Sequence, residues 1–392
     1  MAKDWKMVKR KSGGNTDIVF RVVAAAFVIG VLFVMVFDPL SMLDDNKQST
    51  AGEIVITADT TPFVVGGKDQ FLPDIKSGED YLVYNNNTDG TNDVYAKNIG
   101  GTQYVVANIG YLNENQPKIG NGWCVWLTLE VVEDDETETI VYYLNGKDLD
   151  TPSNTFHVTF SHPSYAEAYI KDFEIVGSKI YYVCNFRLSN GKGVGCYDYL
   201  SLTNSWVTST TQSIQYMDIM TANANYVVWG THITTNYFTF KFYNIATTST
   251  TSLQVSNHYA SHLKSLCIYD RTIVYCIDGG TDATRYIKSY KIDTGVSNTI
   301  ADSSTDGVGI PLYAAISQNW IVYNWRSSST TESYVIVYHP ATDIRYTIYT
   351  HDGKNNLYAG EKGLTINAND VYFTREGTNF YDIYKSVLTI SE

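Results

Sequence analysis

The chain repeats one short pattern of apolar and polar positions. A polar stretch leads into alternating β-branched and aromatic residues that end on a large ring, as in NANYVVWGTH at 223–232 and SQNWIVYNWR at 317–326. Such alternation, bounded by Gly, Asp and Asn, is typical of β-strands separated by turns. The ring recurs at intervals of 42 to 56 residues, at Tyr84, Trp126, Tyr182, Trp229, Tyr275, Tyr323 and Phe373.

A second signal follows each copy of the first. An apolar or small residue precedes a tyrosine at Tyr95, Tyr142, Tyr197, Tyr243, Tyr290, Tyr338 and Tyr384. Within one unit, the segments LKSLCIY, TIVYCI, RYIKSYKI and VSNTIA read as four short strands in succession. A four-stranded unit that repeats every 40–50 residues is the sequence signature of a β-propeller blade. The pattern therefore predicts an all-β fold, a seven-bladed β-propeller, over residues 53–392.

One turn sequence carries a resemblance to a known group of propellers. The segment YKIDTG at 290–295 resembles the TolB-like and related propellers, in which a tyrosine-rich third strand leads into an Asp-x-x-Thr-Gly-type turn. The segments YNIATT at 243–248 and YHPATD at 338–343 match this turn more loosely. The resemblance implies an architecture and no particular activity, because the motif is structural.

The repeat also predicts how the blades pack and how the ring closes. We expect the recurrent rings to fill the wedges between neighbouring blades, because each twisted sheet must bury both faces. The last repeat lacks a clear fourth strand, whereas EIVITADTTPFVV at 53–65 is a spare strand before the first repeat. Pairing the two would remove an open sheet edge.

The N-terminal region has a different pattern, with an almost wholly apolar run at 18–37. Twenty residues of helix span about 30 Å, which is the thickness of a bilayer core. The sequence therefore predicts a basic tail at 1–17, a transmembrane anchor over 18–43 and a linker at 44–52. We expect the anchor to contact the lipid bilayer through Arg21, Phe27, Phe33 and Phe37. The alternatives are a cleaved signal peptide and a buried core helix.

The charge distribution orients the anchor and excludes one class of partner. Residues 1–43 hold six basic and three acidic residues and therefore carry a formal charge of +3. Because the whole chain carries −13, the remainder carries −16. By the positive-inside rule, the N-terminus faces the cytoplasm and the propeller lies outside, at a cell surface or a viral envelope. A domain this acidic repels phosphate backbones, so nucleic acid is not an expected partner.

Four of the five cysteines flank predicted hairpins. Cys184 and Cys196 enclose one hairpin, and Cys267 and Cys276 enclose another. If the strand register is right, each pair meets the geometry of a disulfide, which suits an oxidising compartment. The alternative is a set of buried free thiols within strands.

Five of the seven histidines fall in predicted loops on one face. They are His162, His232, His258, His262 and His351. Some seven-bladed polysaccharide lyases use histidines on this face around a metal, and metal sites favour clustered histidines. Since no spacing motif ties these positions together, scattered surface histidines are the simpler interpretation, and we predict no metal or other cofactor.

Standard catalytic motifs are missing from the sequence. We therefore predict a non-catalytic binding or structural module that contacts a protein or glycan ligand, or neighbouring surface or coat subunits. A basic tail, an anchor and a Thr-, Tyr- and Asn-rich ectodomain resemble archaeal surface proteins and membrane proteins of archaeal viruses. Two alternatives are an extracellular polysaccharide- or peptide-cleaving enzyme with its site at the channel mouth, and a pilin-like subunit with 18–37 as its filament core.

Overall fold

A computed structural model describes fifteen segments of the chain. The regular secondary structure in these segments consists of β-strands. The described residues are 55–66, 68–88, 90–108, 113–134, 137–162, 165–186, 192–210, 218–234, 237–256, 263–277, 285–303, 309–327, 332–352, 363–376 and 381–391. The anchor residues Arg21, Phe27, Phe33 and Phe37 lie outside these segments. No helix long and apolar enough to cross a membrane occurs among the described residues.

The strands have the lengths and spacing that the repeat predicts. In the first half of the chain they are β1 Val55–Val64, β2 Asp69–Asp74, β3 Tyr81–Thr88, β4 Thr91–Asn98, β5 Gln103–Ala107, β6 Asn113–Gly120, β7 Trp123–Asp134, β8 Thr137–Asp148, β9 Thr155–Val158, β10 Ser161–His162, β11 Tyr165–Val176, β12 Lys179–Phe186, β13 Lys192–Asp198 and β14 Thr203–Thr210. In the second half they are β15 Met220–Ala222, β16 Tyr226–Thr234, β17 Tyr237–Asn244, β18 Ser249–Ser256, β19 Leu263–Tyr269, β20 Thr272–Ile277, β21 Tyr286–Lys291, β22 Ser297–Asp302, β23 Gly309–Ile316, β24 Ile321–Ser327, β25 Glu332–His339, β26 Ile344–Asp352, β27 Leu364–Asn367, β28 Asp370–Glu376 and β29 Tyr381–Ser391.

These strands form seven antiparallel sheets, so the predicted seven-bladed propeller is confirmed. From the inner to the outer strand, the blades are β2-β3-β4-β5, β6-β7-β8-β9, β11-β12-β13-β14, β15-β16-β17-β18, β19-β20-β21-β22, β23-β24-β25-β26 and β27-β28-β29-β1. The two-residue strand β10 adds to β11 in the third blade. We number the blades 1 to 7 in this order.

The ring closes as the spare N-terminal strand predicts. β1 pairs antiparallel with β29, from Val55 opposite Ser391 to Val64 opposite Ile383, and completes blade 7. Ile56 of β1 is buried in the cluster between blades 6 and 7. The first and last strands therefore share one sheet, and blade 7 has no open outer edge at β29.

Seven hydrophobic clusters fill the seven interfaces between blades, and each contains one ring of the repeated pattern. Those rings are Trp126 between blades 1 and 2, Tyr182 between 2 and 3, Trp229 between 3 and 4, Tyr275 between 4 and 5, Tyr323 between 5 and 6, Phe373 between 6 and 7, and Tyr84 between 7 and 1. All seven are buried. The expected role of the rings in joining blades is thus confirmed.

The residue before each ring explains why the pattern contains a pair of apolar positions. It packs on the following blade, as Val83, Val125, Tyr181, Val228, Val274, Val322 and Tyr372 do. Neighbouring residues of a strand point to opposite faces of the sheet. One apolar dipeptide in the second strand therefore joins its blade to both neighbours.

Candidate functional site

The inner strands of the seven blades enclose a central cavity of about 600 Å³. Its lining extends to the turns between the first and second strands of the blades, which form one face of the disc. We call this the turn face; it consists of residues 77–80, 121–122, 177–178, 223–225, 270–271, 317–320 and 368–369. The cavity is therefore a channel with a mouth on the turn face.

Irregularities in the inner strands select the side chains that line the channel. The pairing of five inner strands with their neighbours shifts by one or more residues, and the residues that follow the shifts are Asp74, Lys118, Asp172, Ser265 and Tyr313. All five line the cavity. A β-bulge re-aims the side chain that follows it, so the channel owes its polar lining to this local distortion.

Two of these bulges contain strained backbone. Leu72 and Gln116 have φ angles of 53° and 52°, in the left-handed region that residues other than glycine rarely adopt. Each precedes a proline, which cannot donate a hydrogen bond to a strand ladder. The strain is of the order of 1–3 kcal/mol per residue, and packing in the surrounding propeller must offset it.

Lys118 is the centre of a buried ionic cluster. Its Nζ lies 2.9 Å from Asp172 Oδ1 and 2.7 Å from Glu174 Oε1, and it also donates to the Phe173 carbonyl. Burial lowers the pKa of Lys118, but the carboxylates of Asp172 and Glu174 outweigh burial and raise it. Lys118 is therefore held as a cation, and the cluster ties blade 2 to blade 3.

The second lysine of the channel crosses a blade to reach the same cluster. Lys76 Nζ, on the turn that follows β2, lies 2.6 Å from Glu174 Oε2 and 3.1 Å from the Ile175 carbonyl oxygen of blade 3. Burial raises the pKa of Glu174, but Lys118 and Lys76 outweigh it and lower the pKa overall. Glu174 is therefore ionised between two lysines from two different blades.

Gly120 gives blade 3 the space to approach blade 2 at this point. A Cβ at residue 120 would lie 2.8 Å from Ile175 Cβ and 3.3 Å from the Ile175 carbonyl oxygen, which is the atom that Lys76 contacts. No real Cβ makes a contact that short, so a side chain at 120 would push the two blades apart.

Replacing Gly120 by Ala is expected to destabilise the propeller by about 1–3 kcal/mol, the usual cost of overpacking a filled interior. The measurement is the free energy of unfolding in urea. Gly101→Ala is the matched control, because a Cβ at residue 101 meets nothing within 4 Å. Equal stability of the two variants would contradict a close approach of blades 2 and 3 at Gly120.

The surroundings of Asp74 in the channel disfavour its charged form. Its Oδ2 accepts a hydrogen bond from the Ile119 amide at 2.8 Å, which links blade 1 to blade 2. Burial raises the pKa of Asp74, and the nearby Glu174 carboxylate raises it further against the opposing effect of Lys76 and Lys118. The folded ring therefore favours the protonated form of Asp74 relative to the unfolded chain.

Asp74→Asn tests this assignment through the dependence of stability on pH. Because the folded pKa is raised, ionisation of Asp74 costs stability as pH rises from the unfolded pKa through the folded pKa. Asn keeps the acceptor for Ile119 and cannot ionise. We expect the stability of the variant relative to the wild type to increase from pH 4 to pH 8, measured as the difference in Tm. A constant difference would contradict the raised pKa.

The wall of the channel formed by blades 4 to 7 contains two charged residues, Lys264 and Asp270, and its other residues are uncharged. It includes Ser265, Cys267 and Tyr313. Burial raises the pKa of both Cys267 and Tyr313, so both are protonated at neutral pH. The buried ionic cluster therefore lies on the side of the channel that blades 1 to 3 form.

Hydrogen bonds from the inner strands and their turns join every pair of neighbouring blades. Around the ring the donors and acceptors are Ile119 N to Asp74 Oδ2, Lys118 Nζ to Asp172 Oδ1, Met220 N to Asp172 Oδ2, Asn223 Nδ2 to the Asp270 carbonyl, Ala314 N to Ser265 Oγ, Ser317 Oγ to the Ala368 carbonyl, and Thr365 Oγ1 to the Ile75 carbonyl. The polar side chains around the channel therefore hold the ring together.

The structure describes only part of the predicted histidine face. The backbone of His162, His232 and His351 lies opposite Tyr165, Phe238 and Ser333 respectively. His232 and His351 are near the ends of β16 and β26 that point away from the turn face. His258 and His262 lie outside the described residues, so a shared histidine site stays a prediction. Among the described residues, no group of three or more His, Cys, Asp or Glu could hold a metal ion.

The two candidate disulfides are not formed in the structure, in which all five cysteines are free. The strand register gives the reason. Cys184 lies opposite Gly193 and Cys196 lies opposite Tyr181, so the two cysteines are not cross-strand neighbours. In the second hairpin of this kind, Cys267 lies opposite Val274 on the neighbouring strand. The Cys276 thiol instead donates to the Pro311 carbonyl of blade 6 at 3.3 Å.

The repeated sequence pattern does not mark the charged residues of the channel as functional. The available signal was a proline followed at once by a charged residue within a strand pattern, as in LPD at 72–74 and QPK at 116–118. Proline within a strand marks a bulge or an edge. Nothing comparable precedes Asp172, so its position could not have been inferred in that way.

Comparison with known proteins identifies the fold alone. No family model matches the sequence, and no curated protein matches it. An oligogalacturonate lyase in complex with manganese aligns with a TM-score of 0.54 and 11% identity over 86% of this chain and 98% of that chain. A prolyl endopeptidase aligns with a TM-score of 0.53 and 8% identity over 78% of this chain and 45% of that chain.

TolB from Acinetobacter baumannii is also a structural neighbour. It aligns with a TM-score of 0.43 and 12% identity over 86% of this chain and 80% of that chain. The lyase and the endopeptidase are only 11% and 8% identical to this chain, so their likeness establishes the propeller fold and no activity.

Proposed function

We propose that this chain is a non-catalytic binding or structural surface module, a propeller held at a membrane by residues 18–37 and displayed outside the cell or virion. Its partners are a protein or glycan ligand or neighbouring surface subunits. The observation that supports a non-catalytic role is that side chains lining the channel make the contacts between neighbouring blades. Asp74, Lys118, Asp172 and Ser265 each contact a neighbouring blade.

A catalytic acid or base must be accessible to a substrate and must exchange its proton during the reaction. The side chain of Lys118 is 7% exposed and that of Asp172 is 1% exposed, and they are paired with each other. Removing either group from the pair would leave an uncompensated buried charge. The most buried charges of the channel are therefore suited to a structural role.

The position of β1 supports an orientation for the anchored disc. β1 begins at Val55 beside Ser391, and β29 reaches the turn face where Leu388 donates to the Asn369 carbonyl. The chain that precedes β1 therefore meets the disc on its turn face. The predicted linker, 44–52, has nine residues and spans at most roughly 30 Å when fully extended. In this proposal the channel mouth faces the membrane, and the opposite face meets the ligand.

Membrane attachment is tested by expressing the full chain, with a C-terminal epitope tag, in a bacterial inner membrane. We expect the chain to stay with the membrane in alkaline carbonate and the tag to be removed by protease added outside spheroplasts. A chain without residues 18–37 is the matched control and should be released. Retention of the control, or protection of the tag, would contradict the anchor and its orientation.

The non-catalytic role is tested on the purified full chain with oligogalacturonate and with peptides, which are substrates of the kinds that two structural neighbours suggest. We expect binding to immobilised glycans or proteins without any turnover. Measurable turnover that Asp74→Asn abolishes would instead support an enzyme. That alternative is favoured by one observation, the raised pKa of a carboxyl group that lines the cavity.

A further inference from the structure

One sector of the disc is almost free of charge. Between Asp198 and Lys264 the sequence contains two charged residues, Asp218 and Lys241, which cancel. The formal charge of −13 therefore lies entirely outside this sector. The sector comprises β14 and the whole of blade 4. Because like charges repel, two copies of such an acidic chain approach each other most easily here.

The outer strand of blade 4 is a regular sheet edge. β18 pairs with β17 over all eight of its residues without a register shift, from Ser249 opposite Asn244 to Ser256 opposite Tyr237. In its sheet β18 is the last strand that the structure describes. Ser249, Thr250 and Ser252 are exposed along it. A regular, uncharged edge presents a row of backbone donors and acceptors that can pair with another strand.

The other outer strands have features that oppose edge pairing. β1, β22 and β26 contain charged residues, and β1 also contains a proline. β5 and β9 have only five and four residues. β14 is as long as β18 and uncharged, but its pairing with β13 shifts between Val194 and Gly195. Charges, prolines, bulges and short length are the devices that protect natural sheet edges.

We propose that two copies of this chain associate through β18, paired antiparallel and edge to edge about a twofold axis. An antiparallel pair of identical strands is self-complementary, so one edge serves both copies and the assembly closes as a dimer. The pairing would join two four-stranded blades into one eight-stranded sheet. The uncharged surroundings remove the repulsion that a net charge of −13 imposes elsewhere.

The test is the mass of the detergent-solubilised full chain, measured by analytical ultracentrifugation across a concentration series, for the wild type and Thr250→Lys. A lysine on each copy places two like charges at the pairing edge. We expect the dimer dissociation constant to rise at least about tenfold. Thr57→Lys is the matched control, because Thr57 is an exposed threonine on the outer strand of blade 7. It should leave the dissociation constant unchanged.

Cysteine variants provide a second test if Thr250→Lys folds poorly. Thr250→Cys, Thr251→Cys and Ser252→Cys are each oxidised under mild conditions, and at least one should form an intermolecular disulfide across the axis, whereas Thr57→Cys should not. A chain that is monomeric at every concentration would overturn the proposal, as would a dimer that Thr250→Lys does not weaken. Neither result bears on the proposed membrane attachment or ligand binding, which separate experiments test.

Discussion

Replacing Lys118 by Met is expected to destabilise the propeller by about 3–5 kcal/mol, which is the usual cost of breaking a buried ion pair by removing one partner. The substitution preserves most of the volume of the side chain. It leaves Asp172 without the contact at 2.9 Å and Glu174 without the contact at 2.7 Å. Asp172 is almost completely buried, so water cannot replace the lost ammonium group.

The pH dependence of this loss identifies its cause. Without Lys118 the folded ring raises the pKa of the neighbouring carboxyl groups, because protonation is then the cheapest way to remove the uncompensated charge. Stability of the variant must therefore fall as pH rises, and the difference from the wild type must be smallest in acid. Urea unfolding at several pH values measures the difference.

Two controls separate charge from packing at Lys118. Lys118→Arg keeps the cation and should retain most of the stability at neutral pH. Lys291→Met removes an exposed lysine and should change the free energy of unfolding by less than about 1 kcal/mol. A loss below about 1 kcal/mol for Lys118→Met, or a loss that does not depend on pH, would contradict the assignment of Lys118 as the centre of the ionic cluster.

The fold was predictable from the sequence because one physical requirement repeats seven times. Every blade must bury two faces against two neighbours, and an apolar dipeptide in its second strand satisfies both. Val83 and Tyr84 show this, since Val83 packs toward blade 2 and Tyr84 toward blade 7. A requirement that recurs at a fixed interval is visible in a single sequence. For the same reason the missing fourth strand of blade 7 predicted the role of β1.

The lining of the channel was not predictable, because closure of the propeller brings its residues together and the same residue types do not recur from blade to blade. Asp74, Lys118 and Asp172 each follow the register shift in the inner strand of blades 1, 2 and 3, but their chemical types differ. They act through contacts with the next blade, and such contacts appear only when the blades are assembled. Ser265 and Tyr313 follow the register shift in the inner strands of blades 5 and 6, and neither is charged. A chemical signal that changes from blade to blade is not detectable as a periodic pattern.

Disulfides were predicted for the two hairpins that contain cysteine pairs, and the strand register explains why these disulfides are not formed. The distance between two cysteines along a hairpin does not decide which residues face each other, because a bulge or a longer loop displaces the register. Cys184 belongs to the cluster between blades 2 and 3, and Cys196 to the cluster between blades 3 and 4. The two thiols therefore lie on opposite faces of blade 3. Burial raises the pKa of the Cys184 thiol to about 12, which makes it unreactive toward oxidation.

Tyr182 shows how one ring of the repeat is held in the cluster between blades 2 and 3. Its ring stacks on Phe160 with a centroid distance of 4.5 Å and meets the edge of Trp206 at 5.7 Å. Its hydroxyl donates to Asn204 Oδ1 at 2.8 Å. Gly195 lies beneath the ring, where a Cβ would come within 2.2 Å of Tyr182 Cζ. The ring therefore fills a space that neighbouring side chains cannot reach without moving.

Tyr182→Ala is accordingly expected to cost about 3–5 kcal/mol of unfolding free energy, through lost burial and the cavity that remains. Tyr182→Phe is the matched control; it keeps the ring and should cost only about 0.5–1.5 kcal/mol for the hydrogen bond to Asn204. Urea unfolding measures both variants. Since Tyr182 lies in the cluster between blades 2 and 3, hydrogen exchange should increase in β11 and β12 before it increases in blades 5 and 6. Similar losses for the two variants would mean that the hydroxyl, and not the ring, joins the blades.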